Sequence, residues 1–173
     1  LKPYVLRSTD LGRTWVNIAA NLPVRGSVWV VAEDHVDRNL LFVGTEFGVF
    51  FTVDGGATWT PLQSGMPAGV PVWDLAIQER WNDLVVGTHG RGVYILDDLA
   101  PLEHLAAAKR AESAYLFPTR AEIAFQPNGS RISGMGSTGF EGQNPEHGVR
   151  LAYVVNGVAD GTRAKLEIVD GSG

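Results

Sequence analysis

Short apolar runs, rich in β-branched and aromatic residues, recur along the first hundred positions of the chain. Glycine, proline, asparagine or aspartate bounds each run. This pattern predicts strands over Ser27–Ala32, Leu40–Thr45, Gly48–Thr52 and Trp59–Leu62. A second set follows over Val70–Gln78, Asp83–Thr88 and Gly92–Leu96, and Tyr4–Arg7 with Trp15–Ile18 reads as the closing pair of an earlier unit. The pattern then changes. Pro101–Ala114 is rich in alanine and leucine, with Leu102, Leu105 and Ala106 at helical spacing, and predicts one short helix with Asp98 as its cap and Pro101 near its first position. Tyr115–Pro118 reads as extended, and the Gly- and Ser-rich stretch 128–148 as a linker. Val149–Val155 and Ala164–Val169, the latter apolar at even positions, read as the two strands of a hairpin around turn formers at 156–161.

The strand pattern is periodic. Ser8-Thr9-Asp10-Leu11-Gly12-Arg13-Thr14-Trp15 and Thr52-Val53-Asp54-Gly55-Gly56-Ala57-Thr58-Trp59 share the form S/T-x-D-x-G-x-T-W, with Asp10 and Asp54 44 positions apart. The same spacing links Pro23 to Pro67, Val28 to Val72 and Trp29 to Trp73, and Val43-Gly44-Thr45 returns 43 positions on as Val86-Gly87-Thr88. A repeat of this length with four short strands per unit is the signature of a β-propeller blade.

The eight-residue motif resembles the Asp-box, or BNR repeat. That repeat recurs in sialidases, xyloglucanases, the sortilin ectodomain and secreted bacterial proteins of the glycosyl-hydrolase-like type. Val43-Gly44-Thr45-Glu46-Phe47-Gly48-Val49 and Gly87-Thr88-His89-Gly90-Arg91-Gly92-Val93-Tyr94-Ile95-Leu96-Asp97-Asp98 resemble the last blades of that bacterial group. The expected fold is therefore all-β. Residues 1–99 would form about two and a half propeller blades, 100–127 a helix and extended connector, and 128–148 a linker. Residues 149–173 would be a β-hairpin from an immunoglobulin-like sandwich that is cut short, since such a sandwich needs about seven strands. The chain starts at Leu1 with neither a methionine nor a signal peptide, so the expectation is a fragment of a longer protein. Open strand edges and apolar faces on an unclosed propeller predict a homo-oligomer in which blades or strands of one copy complete another.

Within the motif, the aspartate accepts bonds from its own turn and the glycine takes a backbone conformation that other residues resist. The tryptophan packs between neighbouring sheets. Ser8, Asp10, Gly12, Thr14 and Trp15, and Thr52, Asp54, Gly56, Thr58 and Trp59, are accordingly read as structural. Strand alternation sends these motifs, with Glu33–Asp37, to one face. Glu46 and the turn His89-Gly90-Arg91 lie on the other, with the crossovers near Arg25 and Gly69. Propeller ligand sites usually sit on that second face or in the channel beneath. His89, Glu46 and the inner-strand Asp74 are thus the candidate catalytic residues, with Arg91 and Trp81 for substrate binding. The bland reading of 88–92 is a polar tight turn, and that of Asp74 a buried, hydrogen-bonded residue. Trp29 and Trp73 offer stacking faces to a sugar but read first as core. Glu33–Asp37 lacks a D-x-D-x-D-G spacing and reads as a solvated acidic loop, and His104 and His147 as surface residues.

Composition narrows the classes. Fourteen basic against nineteen acidic residues give a net charge of −5, with no basic excess for a nucleic-acid partner. No apolar run approaches the ~20 residues of a membrane span. Without cysteine there is no disulfide scaffold, zinc-thiolate site or thiol nucleophile. The resemblance implies an extracellular or periplasmic protein that binds or hydrolyses a glycan or similar polar polymer, with no evident cofactor. One alternative is a Ca2+-dependent hydrolase of small lactones or esters, with Glu46, Asp74 and His89 as ligand or base. Another is an interaction module without chemistry.

Overall fold

The computed structural model describes residues 2–63, 65–122, 148–159, 161 and 163–170. These are mostly β, in several antiparallel sheets, none of which closes on itself. β1 (Leu6–Arg7) pairs with β2 (Val16–Asn17). A four-stranded meander follows, in the order β3 (Val28–Glu33), β4 (Leu41–Thr45), β5 (Gly48–Thr52) and β6 (Thr60–Leu62). β7 (Val72–Gln78), β8 (Asp83–Thr88) and β9 (Val93–Leu96) repeat its first three strands. Two short helices come next, α1 (Ala100–Glu103) and α2 (Leu105–Arg110). β10 (Ala114–Leu116) then pairs antiparallel with β11 (Tyr153–Val155).

The repeat extends to strand register. Val28 pairs with Thr45 and Val30 with Gly44, so one residue, Trp29, is extra on β3. Val72 pairs with Thr88 and Asp74 with Gly87, leaving Trp73 extra on β7. Both sheets therefore carry a bulge at the same position of the repeat, and each bulged residue is a tryptophan. A bulge re-aims its side chain and bends the strand.

β4 is buried along its whole length because sheets lie on both sides of it. Phe42 joins Leu40, Val49, Val72, Leu75, Leu84, Val86 and Leu99 in a core between the four-stranded and three-stranded sheets. Leu41 and Val43, pointing the opposite way, join Val5, Ala19, Leu22 and Trp59 in a second core towards β1–β2. The two-residue period of a strand divides β4 between these cores. Gly44 lets the sheets approach closely: a Cβ there would lie 2.6 Å from Val30 Cγ1 and 2.7 Å from Val72 Cγ1.

Several expectations need correction. The single helix over Pro101–Ala114 is two helices, interrupted at His104, whose φ of −98° and ψ of 7° lie outside the helical well. Pro101 does stand in the first turn, as expected, but Asp98 Oδ1 accepts from Ala100 N–H at 3.2 Å rather than closing a standard cap. Ala164–Val169 forms no strand. Its alternation has no apolar surface to meet, every one of its side chains is exposed, and Tyr153–Val155 pairs instead with Ala114–Leu116. The hairpin expected within 149–173 is thus absent from the described residues. Most of the 128–148 linker, with His147, lies outside them.

Candidate functional site

Both copies of the eight-residue motif fold into the same turn. Ser8 Oγ donates to Asp10 Oδ1 (2.8 Å) and accepts from Gly12 N–H (2.7 Å). Asp10 in turn accepts from Thr14 N–H (2.8 Å) and Thr14 Oγ1 (2.7 Å). Thr52, Asp54, Gly56 and Thr58 reproduce each of these bonds. The Thr14 hydroxyl and amide, then Ser8, hold the Asp10 carboxyl down at about 2. Burial pushes Asp54 up, but bonds from Thr52 and Thr58 outweigh it and also bring that carboxyl to about 2. Neither aspartate has a carboxylate oxygen left over from its turn.

The motif tryptophans differ sharply. Trp59 is 3% exposed, and its indole N–H donates to Ile18 O at 2.7 Å. Its backbone N–H donates to Asn21 Oδ1 at 2.7 Å, while Asn21 Nδ2 donates to Trp59 O at 2.9 Å. Trp59 thus fastens its unit to the preceding one. Trp15, expected to pack likewise, is 59% exposed and bonds only locally, to Gly12 O. No sheet among the described residues lies on the side where its partners would be.

At the opposite ends of the strands, the two bulges bring Trp29 and Trp73 together, with ring centroids 5.8 Å apart and planes at 89°. His89, in the β8–β9 turn, stacks on Trp73 at 4.6 Å and 25°. The turn is tied down by His89 N–H to Pro71 O (2.9 Å) and Thr88 Oγ1 to Gly92 O (2.5 Å), with Gly90 and Gly92 at positive φ. First read as core, Trp29 and Trp73 are instead 43% and 57% exposed. The bulge is the cause, since it turns the residue out of the alternation that buries Val72 and Leu75. Trp73 keeps this exposure although the preceding repeat is in place beside it. That separates it from Trp15, which has no preceding repeat beside it among the described residues.

The remaining candidates divide between the two ends. Glu46 is half-buried in the β4–β5 turn beside Gly26, where a Cβ would lie 3.5 Å from its Oε2. Arg91 is exposed in the turn that carries His89. Asp74 follows the bulge, is exposed rather than buried, and accepts from Leu75 N–H at 2.9 Å. Glu46, Asp74, His89 and Arg91 thus belong to the end of the strands that holds the paired tryptophans. Trp81 does not. It lies in the β7–β8 loop, about 20 Å away along the seven residues of β7. There Arg80 and Arg120 lie over its ring at 5.3 and 5.8 Å, and Arg120 is engaged by Asp83 (2.9 Å) and Glu122 (2.7 Å).

That second end also holds a buried polar group that sequence reading treated as solvated. Asp34 is 3% exposed, and its Oδ2 accepts from Val36 N–H (2.9 Å) and Asp37 N–H (2.8 Å). His35 Nδ1 lies 3.7 Å from its Oδ1. Glu103 on α1 accepts from Asn82 Nδ2 at 2.7 Å. Burial first, then the charge of Asp34, raises the Glu103 carboxyl, against the Asn82 bond and the neighbouring histidines. His104, expected at the surface, is half-buried with Nδ1 3.4 Å from the Tyr115 hydroxyl. Among the described residues, no three histidine, aspartate or glutamate side chains cluster as a metal site.

A groove of about 620 Å³ runs between β1 and β3, with Tyr4, Leu6, Trp29 and Val31 in its walls. Its position corresponds to the side of β3 away from β7. No helix among the described residues is long and apolar enough to cross a membrane.

No family model matches the chain, and no solved structure matches it. Two curated sequences do, both xyloglucanase Xgh74A of Acetivibrio thermocellus. Each is 32% identical over 78 residues, which is 40% of this chain but 9% of the relative's length. The chain therefore spans only a small part of these relatives.

Proposed function

We propose that the chain is a run of Asp-box propeller blades from an extracellular protein, and that it binds a polymeric glycan at the Trp29–Trp73–His89 end. The repeated strand order, the repeated bulges and the two motif turns with the same hydrogen bonds support the propeller reading. On that reading, the groove between β1 and β3 is the space for the inner strands of a preceding blade. A longer chain or a second copy would fill it, so it is not the ligand site. The observation that carries the glycan reading is the exposed tryptophan pair at equivalent bulges, braced by His89. A pyranose ring presents an apolar face to such a surface, and aromatic rings contribute large contact area with little conformational freedom to lose. Xyloglucan is the polymer in the relatives' name, and it joins the probe set on that ground.

The likeness to a xyloglucanase favours a hydrolytic version of the same reading. Glu46 and Asp74 would then supply the carboxylates, and His89 a proton-transfer group, at the same end of the strands. Affinity gel electrophoresis with xyloglucan, other neutral glucans and uronans tests binding. Wild type is expected to be retarded by at least one polymer and Trp73→Ala by none, with Trp81→Ala behaving as wild type. Equal retardation of Trp73→Ala removes the site from this end. If reducing sugar is released, Glu46→Ala or His89→Ala should lower the rate ~100-fold or more.

A further inference from the structure

Resting on the glycan reading, we infer that the sugar recognised at the paired tryptophans is acidic, its carboxylate held by Arg91 in the turn that carries His89. Arg91 stands between Gly90 and Gly92, both at positive φ, in a turn pinned at each side by Thr88 to Gly92 and by His89 to Pro71. Its guanidinium is exposed and has no hydrogen-bond or ion-pair partner among the described residues. Arg7, Arg38, Arg120 and Arg150 are engaged by a carbonyl or carboxylates, whereas Arg13, Arg25, Arg110 and Arg163 are, like Arg91, unpartnered among the described residues; Arg91 differs from them in sharing its turn with His89. The turn that bears Arg91 also stacks His89 on Trp73, so an aromatic surface and an unsatisfied planar cation share one short, fixed segment.

A pyranose on the tryptophans needs an apolar face below it, and a guanidinium beside it matches a carboxylate with two parallel N–H donors. Arg25, in the crossover before β3, is a second exposed cation at this end without a partner among the described residues. Two carboxylates share this end: Glu46 lies against the crossover at Gly26, and Asp74 accepts from the amide of Leu75, so a bound acid must gain more from Arg91 than these charges cost it. The chain as a whole carries a net charge of −5, so diffuse electrostatics would repel a polyanion. A preference for an acidic polymer must then come from a local site.

Polygalacturonate and its fully methyl-esterified form share one backbone and differ in the carboxylate charge. Affinity electrophoresis or calorimetry with both polymers isolates that charge. Wild type should bind polygalacturonate about tenfold or more tightly than the ester, the scale of a charge-assisted hydrogen bond. Arg91→Ala should abolish that difference while still binding the ester. Arg13→Ala, which removes an equal charge at the motif end, should keep it. Equal wild-type binding of acid and ester, or a preference that survives Arg91→Ala, overturns this inference and leaves glycan binding standing. Binding to neutral glucans only overturns the inference as well. Failure to bind any polymer of the set overturns the glycan reading and the inference together.

Discussion

Trp15 and Trp59 occupy the same position of the same motif, yet replacing each by alanine should have very different consequences. Trp59 is 3% exposed among Val5, Ala19, Leu22, Leu41 and Val43, and its indole donates to Ile18 O. A buried tryptophan removes roughly 150–250 Å² from water, which at about 25 cal/mol per Å² corresponds to some 4–6 kcal/mol. Replacing a buried tryptophan by alanine generally costs about 3–5 kcal/mol, and the lower range is the better guide, because the surroundings relax in part. That loss is about a fifth or more of a typical domain's stability, and at roughly 2–4 °C per kcal/mol it lowers the melting temperature by about 6–20 °C. Trp15 is 59% exposed with only a local bond to Gly12 O, so Trp15→Ala should cost less than about 1 kcal/mol. Urea unfolding followed by circular dichroism measures both, with the midpoint shifting and the slope preserved. Equal costs for the two variants would refute the inter-unit role of Trp59. So would a cost below about 1 kcal/mol for Trp59→Ala.

Three other outcomes follow from the geometry. Gly44→Ala should destabilise by about 1–3 kcal/mol through steric overlap with Val30 and Val72, visible in the same urea assay, whereas Gly87→Ala, whose nearest contact would be 3.5 Å, should cost less. The Asp10 and Asp54 carboxyls sit at about 2 in the folded chain against 3.8 ordinarily, so their contribution is complete above about pH 4 and lost as pH falls through 2. Scanning calorimetry should show Asp54→Asn with a lower melting temperature at pH 7 and a shallower decline below pH 4. Glu103 has the opposite sign: its raised carboxyl disfavours folding while ionised. Glu103→Gln, which keeps an acceptor for Asn82, should therefore melt higher than wild type at pH 7 and lose that advantage as pH falls towards the ordinary carboxylate range. A lower melting temperature at pH 7 would contradict this.

The strands of the two units were legible because their apolar runs end at turn formers and return at a fixed spacing, so each unit corroborates the other. The bulges were not legible. Val28-Trp29-Val30 and Val72-Trp73-Asp74 give no sign of which residue the register skips, and a slip of one residue exchanges inside for outside. Trp29 and Trp73 therefore read first as core in the sequence, which hides the surface they form at that end. The shared 44-residue spacing of two tryptophans on inner strands was the available signal. Ala164–Val169 failed for another reason: alternation describes a strand only where a partner and an apolar surface exist. Glu33–Asp37 lacks a cation-loop spacing and so reads as a solvated acidic loop, although an aspartate opening a tight turn can turn inward to accept from that turn's own amides, as Asp34 does. Trp81 is an exposed-looking aromatic that the strand count assigns to the wrong end for a joint site with His89.

The indole N–H resonances of Trp15, Trp29, Trp59, Trp73 and Trp81 make a five-point map of the molecule. A proton–nitrogen correlation titration with a xyloglucan oligosaccharide, and separately with an oligogalacturonate, reads that map directly. Glycan binding at the paired bulges predicts that Trp29 and Trp73 shift with at least one of the two probes. Trp59, buried and bonded to Ile18 O, and Trp15 and Trp81, at the far end of the strands, should hold still. Shifts confined to Trp15 or Trp81, or no shift with either probe, would contradict it.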